Sequence, residues 1–525
     1  MTQRPQKVAP LQARLDDNSR CLLAAYRESV VEIENGRPVV PAAEWLLDNY
    51  HLVEAQIREI RDDLPPSYYR QLPKLAQGPF VGYPRVFGLA WAFIAHCDSH
   101  FDPDTLRRFL TAYQQVQPLT IGELWAVAIT LRIVLIENLR RLTDQISAAR
   151  IDRQDANNFT DRLLKTGCAR SALDADITAR ATGPISEPFA AQLAKRLRDQ
   201  DPRTMPALEW LEERLQLQNQ SVVEVVQRAH LRQGASNVSI RNIILSMRLI
   251  SDIDWTELFE SVSLVNARLC ASSDFAVMDF PTRNLYRSAI EHLAQGSRLS
   301  ELDITDCLLK TVAQALNDSS HSEKKTDNAT YSTERERRGD PGFYLIDEGR
   351  GQFEKLIGFK PKFGLRLSRV QVRLGLLGYL GAIAFLTAVF LLYAINILGL
   401  MAYGWLIFPV VLVSFLPATD IATAIVNRIV SWRFSATCLP GLELLNGVPT
   451  SLRTLIAVPI LLTDKTEVLE QVERLEVHFL AGIEGDLSFA LLSDGLDADS
   501  ETLESDASLL TIAVEAIDRL NQRYG

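Results

Sequence analysis

The stretch LGLLGYLGAIAFLTAVFLLYAINILGLMAYGWLIFPVVLVSFLPAT, residues 374–419, decides the fold of the region around it. None of its 46 residues is aspartate, glutamate, lysine, arginine or histidine. One membrane-spanning helix takes about 20 apolar residues, so two spans are predicted, residues 374–396 and 398–418, joined by a short turn. One large buried core helix is the alternative, but helices of soluble proteins average about 11 to 12 residues. A transmembrane helical hairpin is therefore predicted over residues 374–418.

Basic residues flank this stretch on both sides. Residues 350–373 carry seven lysines and arginines against the single acid Glu354, and Arg428 and Arg433 follow the second span. An excess of lysine and arginine marks the cytoplasmic side of a span, which a hairpin permits at both ends. The amino-terminal 20 residues lack the apolar core of a signal peptide. Both soluble regions are therefore predicted to face the cytoplasm.

Composition narrows the function classes. A chain of 525 residues has room for about two to four domains. Its formal charge of −10 argues against a sequence-independent nucleic-acid binder, which needs a basic surface. The six cysteines stand singly, without the spacing of zinc ligands or of a disulfide framework. His96 and His100 are four residues apart, but no matching pair of ligands follows them, so no metal site is predicted.

Residues 1–316 have the pattern of an irregular helical domain. A single apolar stripe with spacings of three and four runs through residues 41–65, and it consists of Leu46, Tyr50, Val53, Ile57, Ile60 and Leu64. A second strong run covers residues 121–146, where Glu123, Arg132 and Glu137 argue against a membrane span. This second run is predicted to be a buried central helix. The absence of a fixed repeat period argues against a solenoid.

Further segments follow from shifts in composition. Residues 317–340 contain 11 charged residues out of 24 and are predicted to be a polar linker. Residues 341–373 are a basic juxtamembrane segment, in which FYLI has the pattern of a brief strand. Residues 419–452 are predicted to be a connector. In residues 453–525 the spacing of the apolar residues changes from that of the helical region.

That last segment alternates strand and helix. Residues 453–461 and 487–495 are apolar runs of strand length, and residues 464–480 between them are helical. Asp464, followed three residues later by Glu467, fits the start of this helix, and Val468, Val472, Leu475 and Phe479 form its sheet-facing stripe. Two parallel strands with a right-handed crossover are predicted. A final helix follows, and two strands alone make no stable sheet.

In open sheets of this type, ligands bind beyond the carboxyl ends of the strands. These ends are predicted at the turn of residues 459–464 and at the turn of residues 493–495. The Asp494 carboxylate can accept hydrogen bonds from a nucleotide's ribose or base, and Gly495 lets a ligand approach the backbone. Pro459, Asp494 and Gly495 are therefore the candidate nucleotide-sugar-binding residues. The alternative is that Asp494 only forms a turn or caps a helix.

Several segments together resemble the amino-terminal part of cyclic β-1,2-glucan synthases. They are AAEWLLDNYHLVEAQIREIRDDLPPSYYRQLPKL (residues 42–75), LTIGELWAVAITLRIVLIENLRR (119–141), NLYRSAIEHLA (284–294), GFYLIDEGR (342–350), TLIAVPILLT (454–463) and FALLSDGLDADSETL (489–503). The resemblance runs along nearly the whole chain. It implies a mainly α protein with an irregular helical amino-terminal domain, a two-helix transmembrane hairpin and the partial α/β (βαβα) start of a GT-A-like nucleotide-sugar domain.

The same resemblance implies a function. It indicates part of a bacterial inner-membrane enzyme that moves glucose from UDP-glucose onto a glucan chain with inversion of the anomeric centre, and it makes Asp494 the uridine-contacting aspartate. The family's metal-binding acidic motif, its catalytic base and its phosphorylase-like region have no counterpart in these residues. No cofactor is therefore predicted within this chain, although Mg²⁺ or Mn²⁺ is expected for the complete enzyme. We expect a truncated product that is inactive alone.

Two other functions compete with this one. A membrane-anchored scaffold would use the helical region to recruit protein partners, whose identity the sequence does not give. A transporter would need more than one hairpin and ionisable residues inside the membrane to form a pathway.

Overall fold

The computed structural model describes residues 8–37, 39–165, 185–198, 205–322, 335–361, 363–397, 404, 407–433, 439–444, 447–482, 485–496 and 503–524. The chain divides into two compact units, of which the first joins Met1–Ser272 with Arg287–Lys362 and the second joins Ser273–Tyr286 with Phe363–Gly525. Helix makes up 78% of the structure, which confirms the mainly helical fold class.

Helices build the first unit. They are α1 Leu11–Glu34, α2 Pro41–Asp48, α3 Tyr50–Asp63, α4 Pro66–Gln71, α5 Arg85–His96, α6 Pro103–Val116, α7 Ile121–Lys165, α8 Glu187–Arg198, α9 Met205–Gln216, α10 Val222–Asp252, α11 Trp255–Val262, α12 Leu264–Ser272, α13 Phe280–Gly296, α14 Glu301–Ser322, α15 Pro341–Leu345 and α16 Arg350–Leu356. The first seven residues of α13 belong to the second unit.

Helix α7 lies at the centre of this unit. It packs against α1, α3, α5, α8 and α10, and Leu131, Leu135 and Leu139 on it are fully buried. The prediction of a buried central helix is confirmed. The helix continues past the predicted residue 146 to Lys165 because residues 147–165 contain neither proline nor glycine.

Paired charges explain how α7 buries ionisable groups. The Arg85 guanidinium donates to both Glu123 carboxylate oxygens at 2.8 and 2.5 Å, and both side chains are almost fully buried. Arg132 pairs with Glu59 at 2.6 Å and donates to the Gln56 amide oxygen at 3.0 Å. A buried charge is tolerated when it is paired and hydrogen-bonded, so these polar positions belong to a protein core.

The stripe of residues 41–65 is buried as predicted, but it occupies two helices. Leu46, Val53 and Ile57 are almost completely buried. The helix stops at Asn49, whose side-chain amide donates to the Trp45 carbonyl at 2.9 Å and so replaces a backbone bond of the helix. The Asn49 amide oxygen also accepts a hydrogen bond from Arg248 of α10 at 2.5 Å.

Other local predictions change in the structure. FYLI is helical, because Pro341 occupies the first helical position and the Asp340 carboxylate accepts the Gly342 N–H at 2.5 Å. Residues 317–322 of the predicted linker continue helix α14, since no proline or glycine interrupts them. Residues 323–334 of that linker lie outside the described residues.

The second unit contains two long apolar helices, α17 Phe363–Ile397 and α18 Ile407–Arg433. They run antiparallel, since Tyr379 donates to Asn427 at 2.8 Å while Arg433 donates to the Gly364 carbonyl at 3.3 Å. Both are long and apolar enough to cross a membrane. Their apolar side chains are largely uncovered, for example Leu377 at 79% and Leu416 at 76% exposed.

Helix α18 extends the second predicted span. The sequence predicts a connector from residue 419, but residues 419–433 continue the helix to Arg433 because no helix-breaking residue follows Pro417. The turn predicted at residue 397 is wrong, because the first helix continues through Ile397. Residues 398–403 and 405–406, at the start of the predicted second span, lie outside the described residues.

The connector that follows α18 is held by backbone pairing. Met278 and Leu442 form an antiparallel bridge, the Asp279 N–H donates to the Gly441 carbonyl at 3.0 Å, and the Glu443 N–H donates to the Val277 carbonyl at 2.9 Å. A Cβ on Gly441 would lie 3.0 Å from the Asp279 carboxylate, so glycine allows this close approach.

The carboxy-terminal module contains β1 Thr454–Leu461, α19 Lys465–Ala481, β2 Leu487–Asp494 and α20 Glu504–Tyr524. Strands β1 and β2 pair in parallel, from Thr454 opposite Leu487 to Leu461 opposite Asp494. The predicted strand, helix and strand are therefore confirmed. Val468, Val472 and Leu475 are buried as predicted, whereas Phe479 stays 44% exposed because it lies at the rim, against the rings of Phe489 and Tyr524.

Buried acids meet where helix α7 begins. The Glu301 carboxylate of α14 accepts the Ile121 N–H at 2.7 Å and so satisfies a backbone donor of the first helical turn. The pKa of Glu301 is raised to about 7, mainly by burial and also by the nearby Glu291 and Glu123 carboxylates, while the hydrogen bond from Ile121 opposes the rise. Burial also raises the pKa of Glu291.

This site gives the helical unit a pH dependence. Because the folded-state pKa of Glu301 lies above its ordinary value of 4.5, the folded state holds a proton that the unfolded state has lost between these pH values. Stability should therefore fall as pH rises from about 4.5 to about 7. Glu301→Gln keeps an oxygen acceptor for Ile121 and removes the charge, so it should raise the unfolding temperature by several degrees at about pH 8 and change it little at about pH 5.

Thermal unfolding followed by circular dichroism at both pH values measures this effect. Glu212→Gln is the matched control, because Glu212 is an exposed glutamate of the same unit. An equal change for both variants at about pH 8 would contradict the assignment of the effect to Glu301.

Candidate functional site at the carboxyl ends of the strands

The two strand ends lie side by side. Leu461 is opposite Asp494 in the register, and the Leu462 N–H donates to the Asp494 carbonyl at 2.8 Å. The turn after β1 and the turn after β2 therefore share one edge of the sheet. This is the edge at which parallel α/β sheets bind ligands.

Asp464 has a structural role at this edge. One oxygen of its carboxylate accepts the N–H groups of Thr466 and Glu467 at 2.7 and 2.9 Å and so caps α19. The Glu467 carboxylate accepts a hydrogen bond from the Thr463 hydroxyl instead of from the Asp464 backbone. The predicted helix start is confirmed, although the reciprocal half of a capping box is replaced by the Thr463 contact.

The Asp494 carboxylate is open by comparison. Its side chain is exposed, and one oxygen accepts the N–H of the next residue, Gly495, at 2.9 Å. Among the described residues, the other oxygen accepts no hydrogen bond. Asp494 is thus the last residue of β2, and its second carboxylate oxygen can accept a hydrogen bond from a ligand.

Gly495 follows in an ordinary backbone conformation. A Cβ built on it would lie 3.8 Å from the Asp506 carboxylate, which is normal contact distance. Neither backbone strain nor crowding by the described residues requires glycine at this position. Its predicted role in ligand approach stays a prediction.

Pro459 lies away from the turn in which it was predicted. It is inside β1, opposite Leu492, two residues before the strand ends at Leu461. Proline is tolerated there because β1 pairs on one side within the described sheet, so a missing N–H can be accommodated. The turn itself begins at Leu462, and the structure therefore separates Pro459 from Asp494 and Gly495.

Asp506 is the acidic residue at this edge that the sequence prediction missed. Its carboxylate accepts the Leu503 N–H at 2.8 Å at the start of α20 and lies close to Gly495. The signal in the sequence was an aspartate beside the start of a predicted helix, where carboxylates are favoured as backbone acceptors. Like Asp464, it is engaged by a backbone donor.

No group of three or more His, Cys, Asp or Glu side chains with the geometry of a metal site occurs among the described residues. Of the histidine pair considered from the sequence, His96 has its ring Nδ1 2.7 Å from the Ala92 carbonyl of its own helix. That contact is typical of a structural histidine.

Comparison with known proteins bears on the whole chain. It is 36% identical, over 519 residues, to the cyclic β-(1,2)-glucan synthase NdvB of Rhizobium meliloti (strain 1021). The aligned region covers 98% of this chain and the amino-terminal 18% of that relative. The resemblance to cyclic β-1,2-glucan synthases is confirmed. No protein-family model matches the chain.

The extent of the similarity to NdvB has two consequences. It includes the helical unit, both long apolar helices and the strand edge that holds Asp494, so the chain as a whole is homologous to the amino-terminal part of a glucan synthase. The chain spans 18% of the length of NdvB, so this similarity does not assign the activity of the whole synthase to the chain.

The contacts at the strand edge predict different outcomes for two aspartates. Asp464→Ala removes the cap of α19 and should destabilise this helix by about 1 kcal/mol, seen as faster hydrogen exchange of the Thr466 and Glu467 amides. Asp494→Ala removes one local bond of an exposed carboxylate and should leave the exchange of β2 nearly unchanged. Loss of protection throughout β2 in Asp494→Ala would instead show that Asp494 is a structural residue.

Proposed function

We propose that this chain forms the amino-terminal part of a membrane-bound glucosyltransferase that builds cyclic β-1,2-glucan from UDP-glucose. The observation that carries the proposal is the 36% identity to a cyclic β-(1,2)-glucan synthase over 98% of the chain. The parallel strand edge with an open carboxylate supports it, because sugar nucleotides bind at edges of this type. The module is then the GT-A-like start of the transferase domain.

In this proposal Asp494 contacts the nucleotide. An ionised carboxylate accepts hydrogen bonds only, and a uridine presents suitable donors at its base N–H and its ribose hydroxyls. The exposed position of Asp494 at the end of β2 leaves its carboxylate accessible to such donors. Gly495, the next residue, allows the nucleotide to approach the backbone.

Helices α17 and α18 form the membrane hairpin of this enzyme. Their uncovered apolar side chains match a lipid environment, and the contact between Arg433 and Gly364 places the end of α18 beside the start of α17. Arginines at both of these ends favour the cytoplasmic side of the bacterial inner membrane. The carboxy-terminal module and the helical unit then share the cytoplasm, where UDP-glucose is available.

The transfer step inverts the anomeric centre in this proposal, as the family resemblance implies. Such a reaction needs a base for the acceptor hydroxyl and, for a sugar diphosphate, a divalent cation such as Mg²⁺ or Mn²⁺. The described residues do not fit a bound cation, since Asp464 and Asp506 are engaged by backbone N–H groups. We therefore assign no step to a metal ion or to a base within this chain.

Without these groups the chain should be inactive by itself. The purified chain, incubated in detergent with radiolabelled UDP-glucose, is expected to yield no glucan detectable by gel filtration. A longer synthase that contains this chain is the positive control. Glucan synthesis by the 525-residue chain would contradict the proposal.

The contribution of Asp494 is measurable in that longer synthase. Asp494→Ala should lower the affinity for UDP by about 10- to 100-fold, since hydrogen bonds to a charged group contribute about 1.5–3 kcal/mol. Asp506→Ala is the matched control, because it removes a neighbouring carboxylate that is already engaged by Leu503. Unchanged UDP affinity in Asp494→Ala would remove Asp494 from the site, and failure of the unaltered synthase to bind UDP or UDP-glucose would favour a membrane-anchored scaffold.

A further inference from the structure

The start of helix α17 carries a basic face. Arg366, Arg369 and Arg373 are three and four residues apart, so at 100° per residue they lie within about 60° of the helix circumference. Residues 363–373 include no aspartate or glutamate. Arg366 and Arg373 are exposed and Arg369 is half-buried. The segment itself therefore contributes positive charge only.

Apolar side chains lie beside this basic face. Val370 and Leu374 are four residues apart on an adjacent stripe, and both are about half exposed. A short helix with arginines on one face and aliphatic side chains on the next is typical of segments that lie in the interface of a membrane. Its aliphatic side chains reach the acyl region while its charges stay with the headgroups.

A backbone break separates this segment from the uncharged span. Gly375 has φ 49° and ψ −128°, which interrupts the helix between residues 374 and 376. A Cβ on Gly375 would contact nothing within 4 Å, so the unusual dihedral angles, not crowding, favour glycine here. The kink lets residues 363–374 take a direction different from that of residues 376–397.

The end of helix α18 brings further arginines to the same place. Arg433 donates to the Gly364 carbonyl at 3.3 Å, and Arg428 lies on the preceding turns of α18. Trp432, next to Arg433, is 82% exposed, and tryptophan is enriched at the level of lipid headgroups. Residues 421–433 include no acid either.

We propose that Arg366, Arg369 and Arg373, together with Arg428 and Arg433, bind the phosphate groups of anionic phospholipids in the cytoplasmic leaflet. This inference rests on the proposed membrane hairpin and adds a lipid partner of defined charge to it. Guanidinium groups pair with phosphate oxygens through two parallel hydrogen bonds, which favours arginine over lysine at such surfaces. The proposed occupant is an anionic headgroup because residues 363–373 and 421–433 carry five arginines and include no aspartate or glutamate.

Reconstitution of the full chain tests this directly. The chain is incorporated into vesicles of phosphatidylglycerol and phosphatidylcholine at about 1:4 and extracted in mild detergent, and the lipids that stay bound are quantified by mass spectrometry. The ratio of phosphatidylglycerol to phosphatidylcholine among the bound lipids should be about fivefold higher than in the vesicle, a typical effect of basic residues at a membrane surface. A high concentration of sodium chloride should weaken the enrichment.

Matched variants test whether the arginines of α17 cause the enrichment of phosphatidylglycerol. The triple change Arg366→Gln, Arg369→Gln and Arg373→Gln should bring the bound lipids close to the vesicle composition. The control removes the same charge from exposed arginines of the helical unit through Arg58→Gln, Arg241→Gln and Arg298→Gln, and it should keep the enrichment. Equal enrichment in the wild-type chain and the first triple variant would overturn the proposal.

Two further outcomes are informative. If phosphatidylglycerol is not enriched, while inorganic phosphate binds the wild-type chain and not the first triple variant, the face binds free phosphate and the lipid proposal is wrong. If the wild-type chain enters the vesicles but retains lipids in the vesicle ratio, the lipid proposal fails and the hairpin stands. If the chain does not enter the vesicles, the proposed membrane location is itself contradicted.

Discussion

The uncharged stretch of residues 374–419 constrains the rest of the molecule, because water cannot solvate so much contiguous apolar surface favourably. Where the structure describes this stretch, its surface is largely uncovered: residues such as Leu377 and Leu416 remain mostly exposed in the paired helices. Lipid can cover such a surface, and in lipid the backbone must satisfy its own hydrogen bonds, which two paired helices achieve. Basic side chains then mark where the helices meet the aqueous phase.

The helical unit also contains a long apolar helix, but this helix is covered by protein. Helix α7 is also long and rich in leucine, but its buried Glu123 and Arg132 find partners in Arg85 and Glu59. These pairs are compatible with a protein core and would be costly in lipid. The two long apolar regions of the chain therefore differ in the charged positions that they carry, and this difference decides which is covered by protein.

The sequence predicted the elements whose pattern is repeated over many residues. The uncharged stretch, the apolar stripe of α7 and the strand, helix and strand near the carboxyl terminus all have the expected type in the structure. Breaks that depend on one side chain were missed, such as the stop at Asn49, where an amide replaces a backbone bond. Strand ends also depend on the pairing register, which explains why Pro459 lies inside β1 while Asp494 ends β2. The resemblance to cyclic β-1,2-glucan synthases is visible in the sequence, whereas the use of Asp506 as a backbone acceptor is visible only in the structure.

The account depends on a hairpin whose two ends lie on one side of the membrane. The most direct measurement fuses, in separate chains, a reporter after residue 361 and after residue 444, using alkaline phosphatase, active only outside the cytoplasm, and a fluorescent protein, bright only inside it. We predict that the chain sediments with membranes and that both positions give fluorescence and no phosphatase activity. Opposite responses at the two positions, or recovery of the chain in the soluble fraction, would contradict the account.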